Sequence, residues 1–262
     1  MSIMEKGICR LCIVPVRKDP SDVSEMVTQL LFGDHYSVLE VSPDRKWVRV
    51  SIYFDGYEGW IDAKQHKQIS DEYFDEINTN EFRICTDLTA TILYKKKPLQ
   101  IVLGSVLPIA HTELFDIEEQ FAFNGESKRL GQLREFEYLK AIAFKYLNAP
   151  YLWGGKSPFG IDCSGFTQLV FKITGYRLKR DTSQQVLQGD EVADPRDAQP
   201  GDLVFFQHEN RGISHVGILL DEQKIIHASG YVRVDLLDES GIFNQSKNVY
   251  THSMAKIKRI MR

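Results

Sequence analysis

The segment that decides the fold runs from Tyr151 to Phe166 and reads Tyr-Leu-Trp-Gly-Gly-Lys-Ser-Pro-Phe-Gly-Ile-Asp-Cys-Ser-Gly-Phe. Three glycines and a proline precede Asp162 and Cys163, and an apolar stripe with helical spacing follows. This pattern predicts that Cys163 lies in the first turn of a helix. Unpaired backbone N–H groups and the positive end of the helix dipole favour a thiolate there. The same N–H groups can hold an oxyanion formed on an attacked carbonyl.

A nucleophilic cysteine needs a base, and the ordinary pKa of histidine suits that role near neutrality. His215 starts one predicted strand, and His227 lies on the next. If a three-residue loop joins these strands, Leu220 pairs with Lys224 and Gly217 faces His227. The two imidazoles are then diagonal neighbours on the same side, so His215 can take the thiol proton while His227 orients its ring. A two-residue loop would place them on opposite faces of the sheet.

Each of these residues also has a structural interpretation. An isolated cysteine near a helix start is more often a packing residue than a nucleophile, and a single strand histidine is usually structural. The joint presence of the glycine-rich approach, the cysteine and the two strand histidines favours chemistry. We interpret Trp153 as a packing anchor rather than as a wall of a substrate site. The remaining histidines are expected at the surface or in turns: His35, His66, His111, His208 and His252.

The composition restricts the class of protein. The chain has 262 residues, of which 43% are hydrophobic and 26% charged, which suits a soluble protein of two or three domains. A net charge of -4 gives no electrostatic reason to bind nucleic acid or an anionic membrane. No apolar run reaches the ~18 residues of a membrane span, and the N-terminus shows no signal-peptide core. We therefore expect no nucleic-acid or membrane partner, and secretion is disfavoured.

The cysteines indicate neither a disulfide framework nor a metal site. The chain has four of them, and Cys9 and Cys12 form a C-x-x-C within a run that is typical of a strand. Cys85 also has the surroundings of a small buried hydrophobe. No second pair and no histidine cluster stands at zinc-ligand spacing, so we expect no metal and no other cofactor.

The residue pattern changes along the chain from short strand-like runs to helical spacing. This order predicts an α+β protein with two small β-barrels before the catalytic domain. Short β-type runs separated by turn residues fill the first part. A second segment shows the same strand-and-turn pattern less clearly. Helical patterns follow at 133–147 and from Cys163 to Gly175, and strands follow Pro200. The predicted domains are residues 1–70, 71–125 and 126–262.

The ordered motifs of the last domain resemble a known family. They are Tyr151-x-Trp153-Gly154-Gly155, Asp162-Cys163-Ser164-Gly165, Gly201-Asp202-Leu203, Ser214-His215-Val216-Gly217 and His227-Ala228. Together they resemble the NlpC-type cysteine peptidases, papain-like enzymes that cut bacterial cell-wall peptides, over roughly residues 133–262. Segments 24–29 and 56–62 resemble the bacterial SH3-like domains that precede the catalytic domain in the γ-D-glutamyl-L-diamino-acid endopeptidase (dipeptidyl-peptidase VI) branch.

The resemblance implies a catalytic triad of Cys163 as nucleophile, His215 as base and His227 as the third polar residue. In that branch the substrate is a freed murein stem peptide with an unblocked L-Ala, which is cleaved after γ-D-Glu through a thioester on the cysteine. Such specificity requires an anion for the alanine ammonium and donors for the D-Glu α-carboxylate.

The resemblance also implies substrate-binding residues in two domains. In the catalytic domain they are Tyr151, Asp162 as the carboxylate beside the nucleophile, and Ser164 and Thr182 as hydroxyls near the glutamyl carboxylate. The family more often has serine at the position of Thr182. In the first SH3-like domain Glu25 and Tyr57 are the candidates for the amine end, with Asp34 as the competitor for Glu25. A solvated strand end and a barrel-packing ring are the structural alternatives for Glu25 and Tyr57.

A first barrel that closes the alanine end of the cleft would exclude intact peptidoglycan, whose alanine nitrogen is amide-linked. Because the N-terminus also shows no signal-peptide core, we expect a cytoplasmic enzyme whose partner is a small murein peptide imported for recycling. We also expect it to be a monomer. Two other functions stay open at this point. One is a catalytically silent protein that binds peptide or cell wall, and the other is an amidase or acyltransferase on the same scaffold.

Overall fold

The computed structural model describes residues 5–79, 82–107, 121–208 and 212–261. The chain divides into two compact units. Unit 1 comprises Met1–Gln132 and Gly154–Pro158, and unit 2 comprises Leu133–Trp153 and Phe159–Arg262. The three-domain division at residues 70 and 125 stays a prediction. None of the helices formed by the described residues is long and apolar enough to cross a membrane.

Unit 1 begins with a seven-stranded antiparallel sheet built from the short β-type runs of the sequence. Its strands are β1 (Lys6–Ile8), β2 (Ile13–Arg17), β3 (Met26–Leu31), β4 (His35–Val41), β5 (Trp47–Ile52), β6 (Glu58–Asp62) and β7 (Gln68–Ile69), with a 3₁₀ turn at Ala63–Gln65. The order across the sheet is β3-β2-β6-β5-β4-β1-β7. Cys9 is buried in the core of this sheet, but it lies between β1 and β2 rather than on a continuous strand.

The rest of unit 1 has a second apolar core, centred on Cys85, Ile92, Ile101 and Phe121. Its elements are α1 (Asp71–Thr79), β8 (Arg83–Cys85), β9 (Thr89–Tyr94), β10 (Lys97–Val102), β11 (Val106–Leu107), β12 (Phe121–Asn124), β13 (Ser127–Arg129) and β14 (Lys156–Ser157). Helix α1 was not predicted. Of residues 105–109, Val106 and Leu107 form β11, Ser105 precedes that strand, and residues 108 and 109 lie outside the described residues.

Unit 2 packs helices against a closed six-stranded antiparallel barrel, as expected of an α+β domain. Its elements are α2 (Phe136–Lys145), β15 (Gly160–Ile161), α3 (Cys163–Thr174), α4 (Thr182–Gln185), β16 (Asp190–Glu191), a 3₁₀ turn (Pro195–Asp197), β17 (Leu203–His208), β18 (Gly212–Asp221), β19 (Lys224–Ser229), β20 (Tyr231–Asp238), β21 (Gly241–Asn244) and β22 (Val249–Arg259). Strands β17 to β22 pair in sequence, and β22 returns to pair with β17, which closes the barrel. The sequence did not predict β20, β21 or β22.

Candidate active site

Cys163 is the first residue of α3, where the sequence predicts it. The helix begins there because the Asp162 carboxylate caps it, with Oδ1 accepting the Gly165 N–H at 2.7 Å. The helix ends at Gly175, whose left-handed φ of 102° is a conformation that glycine adopts without strain. Local sequence therefore fixes the position of the thiol at the helix N-terminus.

The thiol faces the barrel. Helix α3 packs against β18, and the backbone N–H of Val216, the residue that follows His215, donates towards the Cys163 sulfur. Thr182 on α4 contacts the same sulfur, with Oγ1 3.8 Å from Sγ. The nucleophile and the predicted base thus belong to elements that pack directly on each other.

Behind His215 lies a chain of polar side chains. His215 Nε2 is 2.8 Å from His227 Nδ1, and His227 Nε2 is 3.1 Å from Asp235 Oδ2. Gly217 lies directly opposite His227, and a Cβ there would come within 2.9 Å of the His227 Cβ. Because glycine leaves this space open, the two imidazoles can meet across it. The structure confirms that His215 and His227 are neighbours and adds Asp235, which the sequence analysis missed.

The hairpin between β18 and β19 reaches the predicted register by a different route. Gly217 pairs with His227 as expected, but Asp221 rather than Leu220 pairs with Lys224, so the loop has two residues. A register shift between Leu219 and Asp221 inserts one extra residue into β18. This β-bulge restores the alternation that a two-residue loop would have inverted.

His252 belongs to the same cluster: it lies half-buried on β22 rather than in a turn, and its contact with the site was not predicted. Its ring stacks on the His215 ring with centroids 4.2 Å apart and planes 27° apart. Its Nδ1 lies 2.8 Å from Thr251 Oγ1. Two histidines of unit 1 are also partly buried: His35 begins β4 and stacks on Tyr53, whereas His66 follows the 3₁₀ turn, as expected, and contacts Tyr36 and Glu5. His111 and the His208 side chain lie outside the described residues.

Burial favours a neutral resting site. It raises the pKa of the Cys163 thiol to about 11, and the negative charge of Asp162 acts in the same direction. The hydrogen bonds from Thr182 and Val216 lower this pKa by less. Burial, and then the positive charge of His227, lowers the pKa of His215 well below its ordinary value. Burial therefore opposes the charge that the helix dipole favours, and the ionised sulfur expected at the helix tip stays a prediction. The same effect favours the neutral forms of both the thiol and the imidazole, so we expect proton transfer to accompany the attack.

Acid should destabilise the folded protein before most carboxylates titrate. Burial lowers the pKa values of His215 and His227, and lowers that of His252 to about 4. Below the unfolded-state pKa of about 6.5 the unfolded chain binds protons that the folded chain excludes, so stability falls as pH falls. We expect the urea midpoint to drop steadily from pH 6.5 to 4.5, and to drop less in His252→Phe, which removes one of the three groups. A midpoint that stays flat over this range in the wild type would contradict the neutral cluster.

The predicted binding residues of unit 2 surround the thiol. Burial raises the pKa of Tyr151, and so do the negative charges of Cys163 and Asp162. Asp162 is held by a salt bridge from the buried Arg180, whose Nη1 also donates to Ser164 Oγ at 2.8 Å. Arg180 is not among the site residues predicted from the sequence. The structure brings these side chains together with the nucleophile, and their contacts with substrate stay predictions.

The predicted residues of unit 1 have structural partners of their own. Glu25 forms an exposed ion pair with Lys18 at 3.8 Å, and Tyr57 packs against the first core. Their role at the amine end of the substrate stays a prediction. Asp34, the alternative to Glu25, is buried, and its Oδ2 accepts the Leu31 N–H at 2.9 Å. This hydrogen bond stabilises the turn between β3 and β4.

Trp153 departs from its prediction. The side chain is 62% exposed, so its interpretation as a packing anchor is wrong. No group of three or more His, Cys, Asp or Glu side chains among the described residues is arranged to hold a metal ion.

A buried cysteine at a helix start, packed on a barrel strand that carries a histidine backed by a second polar residue, defines a papain-like cysteine peptidase. Comparison with known proteins is consistent with this class. The chain belongs to the NlpC/P60 family, whose model matches residues 148–256. A second model, described as the bacterial dipeptidyl-peptidase Sh3 domain, matches residues 16–65. The predicted family and fold class are confirmed.

Two curated relatives match along most of their length. A γ-D-glutamyl-L-lysine dipeptidyl-peptidase of Bacillus subtilis (strain 168) is 31% identical over 77% of this chain and 71% of its own. A protein of the same name from Bacillus cereus (strain ATCC 10987 / NRS 248) is 29% identical over 79% of this chain and 68% of its own. A crystal structure of an NlpC/P60 family protein from Bacillus cereus ATCC 10987 matches 98% of this chain and all of its own, with a TM-score of 0.83 at 23% identity. This last likeness concerns the fold.

Proposed function

We propose that the protein is a cysteine endopeptidase that hydrolyses the γ-D-Glu–L-diamino acid bond of murein stem peptides with a free N-terminal L-Ala. The observation that carries the proposal is the buried thiol of Cys163 at the start of α3, beside the strand of His215 and its polar chain. The names of the curated relatives support the choice of bond.

The geometry supports a two-step reaction through a thioester. His215 takes the Cys163 proton as Sγ attacks the γ-glutamyl carbonyl carbon, and backbone N–H groups in the first turn of α3 face the oxyanion. The Gly165 N–H is not among them because the Asp162 carboxylate occupies it. His215 then protonates the leaving amine of the diamino acid. Water, deprotonated by His215, hydrolyses the thioester and releases L-Ala-γ-D-Glu.

Substrate selection would use the polar side chains around the thiol. The hydroxyls of Ser164 and Thr182 are the proposed donors to the D-Glu α-carboxylate, with Tyr151 beside them. The carboxylate of Asp162 is the proposed partner of the alanine ammonium. Glu25 and Tyr57 are proposed for the amine end on the sequence resemblance alone.

We expect wild-type protein incubated with L-Ala-γ-D-Glu-L-Lys, or with the diaminopimelate form, to release L-Ala-γ-D-Glu and the free diamino acid, detected by mass spectrometry. Cys163→Ala should release neither because it lacks the nucleophile, and a muramyl-capped tripeptide should resist cleavage by the wild type. Equal cleavage of free and capped peptides would retain the peptidase and reject the free-amine specificity. Binding without turnover would instead indicate a silent binding protein, and release of ammonia or acyl transfer would indicate the amidase or acyltransferase.

The proposed setting is the cytoplasm, where the enzyme would act as a monomer on small wall peptides during recycling, without a nucleic-acid or membrane partner. All four cysteines are described and free, including Cys163, which is consistent with a reducing compartment. A free alanine amine is also the state of a peptide already released from muramic acid. Cell fractionation followed by immunodetection tests the location.

A further inference from the structure

Asp235 stands at the end of the polar chain behind the proposed base, and it can only accept hydrogen bonds as a carboxylate. Its Oδ2 lies 3.1 Å from His227 Nε2 and 2.7 Å from Arg233 Nη2. The Asp235 side chain is only 12% exposed, so water competes little for this oxygen. Its position follows from register, because Asp235 pairs with Ile225 and so lies on the same face as His227.

An acceptor at this place determines where both histidines carry their protons. His227 must present Nε2–H to Asp235, so a neutral His227 has a bare Nδ1. Since that Nδ1 lies 2.8 Å from His215 Nε2, His215 must be the donor of the second hydrogen bond. The remaining nitrogen of His215, Nδ1, then carries a lone pair and can accept the thiol proton.

We propose that Asp235, held by Arg233, is a positioning residue that sets the tautomers of His227 and His215 so that His215 Nδ1 is the base. The proposal deepens the proposed function and rests on it only for its kinetic part. Asp235 does not touch the reacting atoms. Its effect passes through two hydrogen bonds of defined direction.

The effect of replacing Asp235 with asparagine should depend on whether Arg233 is present. In Asp235→Asn, Arg233 Nη2 still requires an oxygen at the Oδ2 position, so the amide keeps its acceptor towards His227. In Asp235→Asn combined with Arg233→Met this restraint is gone, and the amide can turn its NH₂ towards His227 Nε2. His227 would then carry its proton on Nδ1, and His215 would carry its own on Nδ1, where it cannot act as base.

The test measures kcat and KM for tripeptide cleavage in four variants. Asp235→Asn and Arg233→Met alone should each keep kcat within about threefold, because either retains the acceptor. Asp235→Leu should lower kcat about 10-fold, and the double variant about 100-fold, with KM changed less than about twofold. A purely structural role predicts additive losses and a KM that moves with kcat. Additive losses in the double variant, or an unchanged kcat in Asp235→Leu, would overturn the proposal.

Nuclear magnetic resonance of ¹⁵N-histidine-labelled protein tests the tautomers without any turnover. In the wild type the correlations should show Nε2–H and bare Nδ1 for both His215 and His227, and the double variant should show the reverse. A wild-type protein with this pattern but no peptide cleavage would reject the proposed function and retain the relay. Nδ1–H on wild-type His215 would reject the relay whatever the activity. Circular dichroism spectra matching the wild type confirm that each variant is folded.

Discussion

Replacing His215 with alanine is expected to lower kcat for dipeptide release by roughly 1,000-fold, the loss that follows removal of a general base. Burial favours the neutral forms of both the thiol and the imidazole, because it raises the pKa of Cys163 and lowers that of His215. Without an acceptor beside it, the Cys163 proton has no destination at neutral pH. Steady-state kinetics with L-Ala-γ-D-Glu-L-Lys measures the loss.

The reactivity of the thiol with iodoacetamide separates chemistry from substrate binding in the same variant. Alkylation of Cys163 near pH 7, located by peptide mapping, should slow in parallel with kcat in His215→Ala. It should approach the wild-type rate near pH 11, where the thiol ionises without help.

Two variants of neighbouring histidines serve as controls for the loss of kcat in His215→Ala. His227→Ala should cost less than His215→Ala, because His227 orients the base and does not receive the thiol proton. His252→Phe keeps a flat ring stacked on His215 and should stay close to the wild type. If His215→Ala retained more than about a tenth of the wild-type kcat, the assignment of His215 as base would be wrong.

The sequence was sufficient for the parts of the site that depend on local pattern. The glycine-rich approach, the N-cap and the helical stripe place Cys163 at the start of α3, and the C-cap glycine ends the helix where expected. The shared face of His215 and His227 was predicted only for a three-residue loop, and that condition is wrong because the loop has two residues. A loop one residue shorter and a bulge near Leu220 compensate each other, so the two imidazoles still share a face.

The parts that escaped prediction depend on contacts distant in sequence. His252 reaches His215 only because β22 closes the barrel. Asp235 has no motif of its own, and its role follows from the pairing of β20 with β19. The burial that raises the pKa of Cys163 also escaped prediction, because the helix dipole is a local feature whereas burial depends on how the whole domain packs.

Replacing Arg180 with methionine is expected to destabilise unit 2 by about 3–5 kcal/mol, the range for breaking a buried ion pair by removal of one partner. Arg180 is 1% exposed, and its two terminal nitrogens donate to the two oxygens of Asp162 at 3.0 and 2.6 Å. Methionine fills a similar volume but leaves the Asp162 carboxylate buried without its cation. Urea unfolding followed by circular dichroism measures the change.

An exposed pair of the same residue types provides the control. Arg196 and Asp194 also form a bidentate contact, but the Arg196 side chain is 81% exposed. Water solvates these charges well, so Arg196→Met should leave the urea midpoint unchanged within error. An Arg180→Met variant as stable as Arg196→Met would show that the buried pair contributes nothing to the fold.

A second variant separates the stability of the pair from its position beside the nucleophile. Adding Asp162→Asn to Arg180→Met removes the uncompensated charge, so the double variant should recover part of the lost stability. The asparagine oxygen can still cap α3 through the Gly165 N–H. Activity should not return with stability, because Ser164 has lost the donor that holds its hydroxyl and the proposed anion for the alanine ammonium is absent. A double variant that regained both would show that the Asp162–Arg180 pair serves the fold alone.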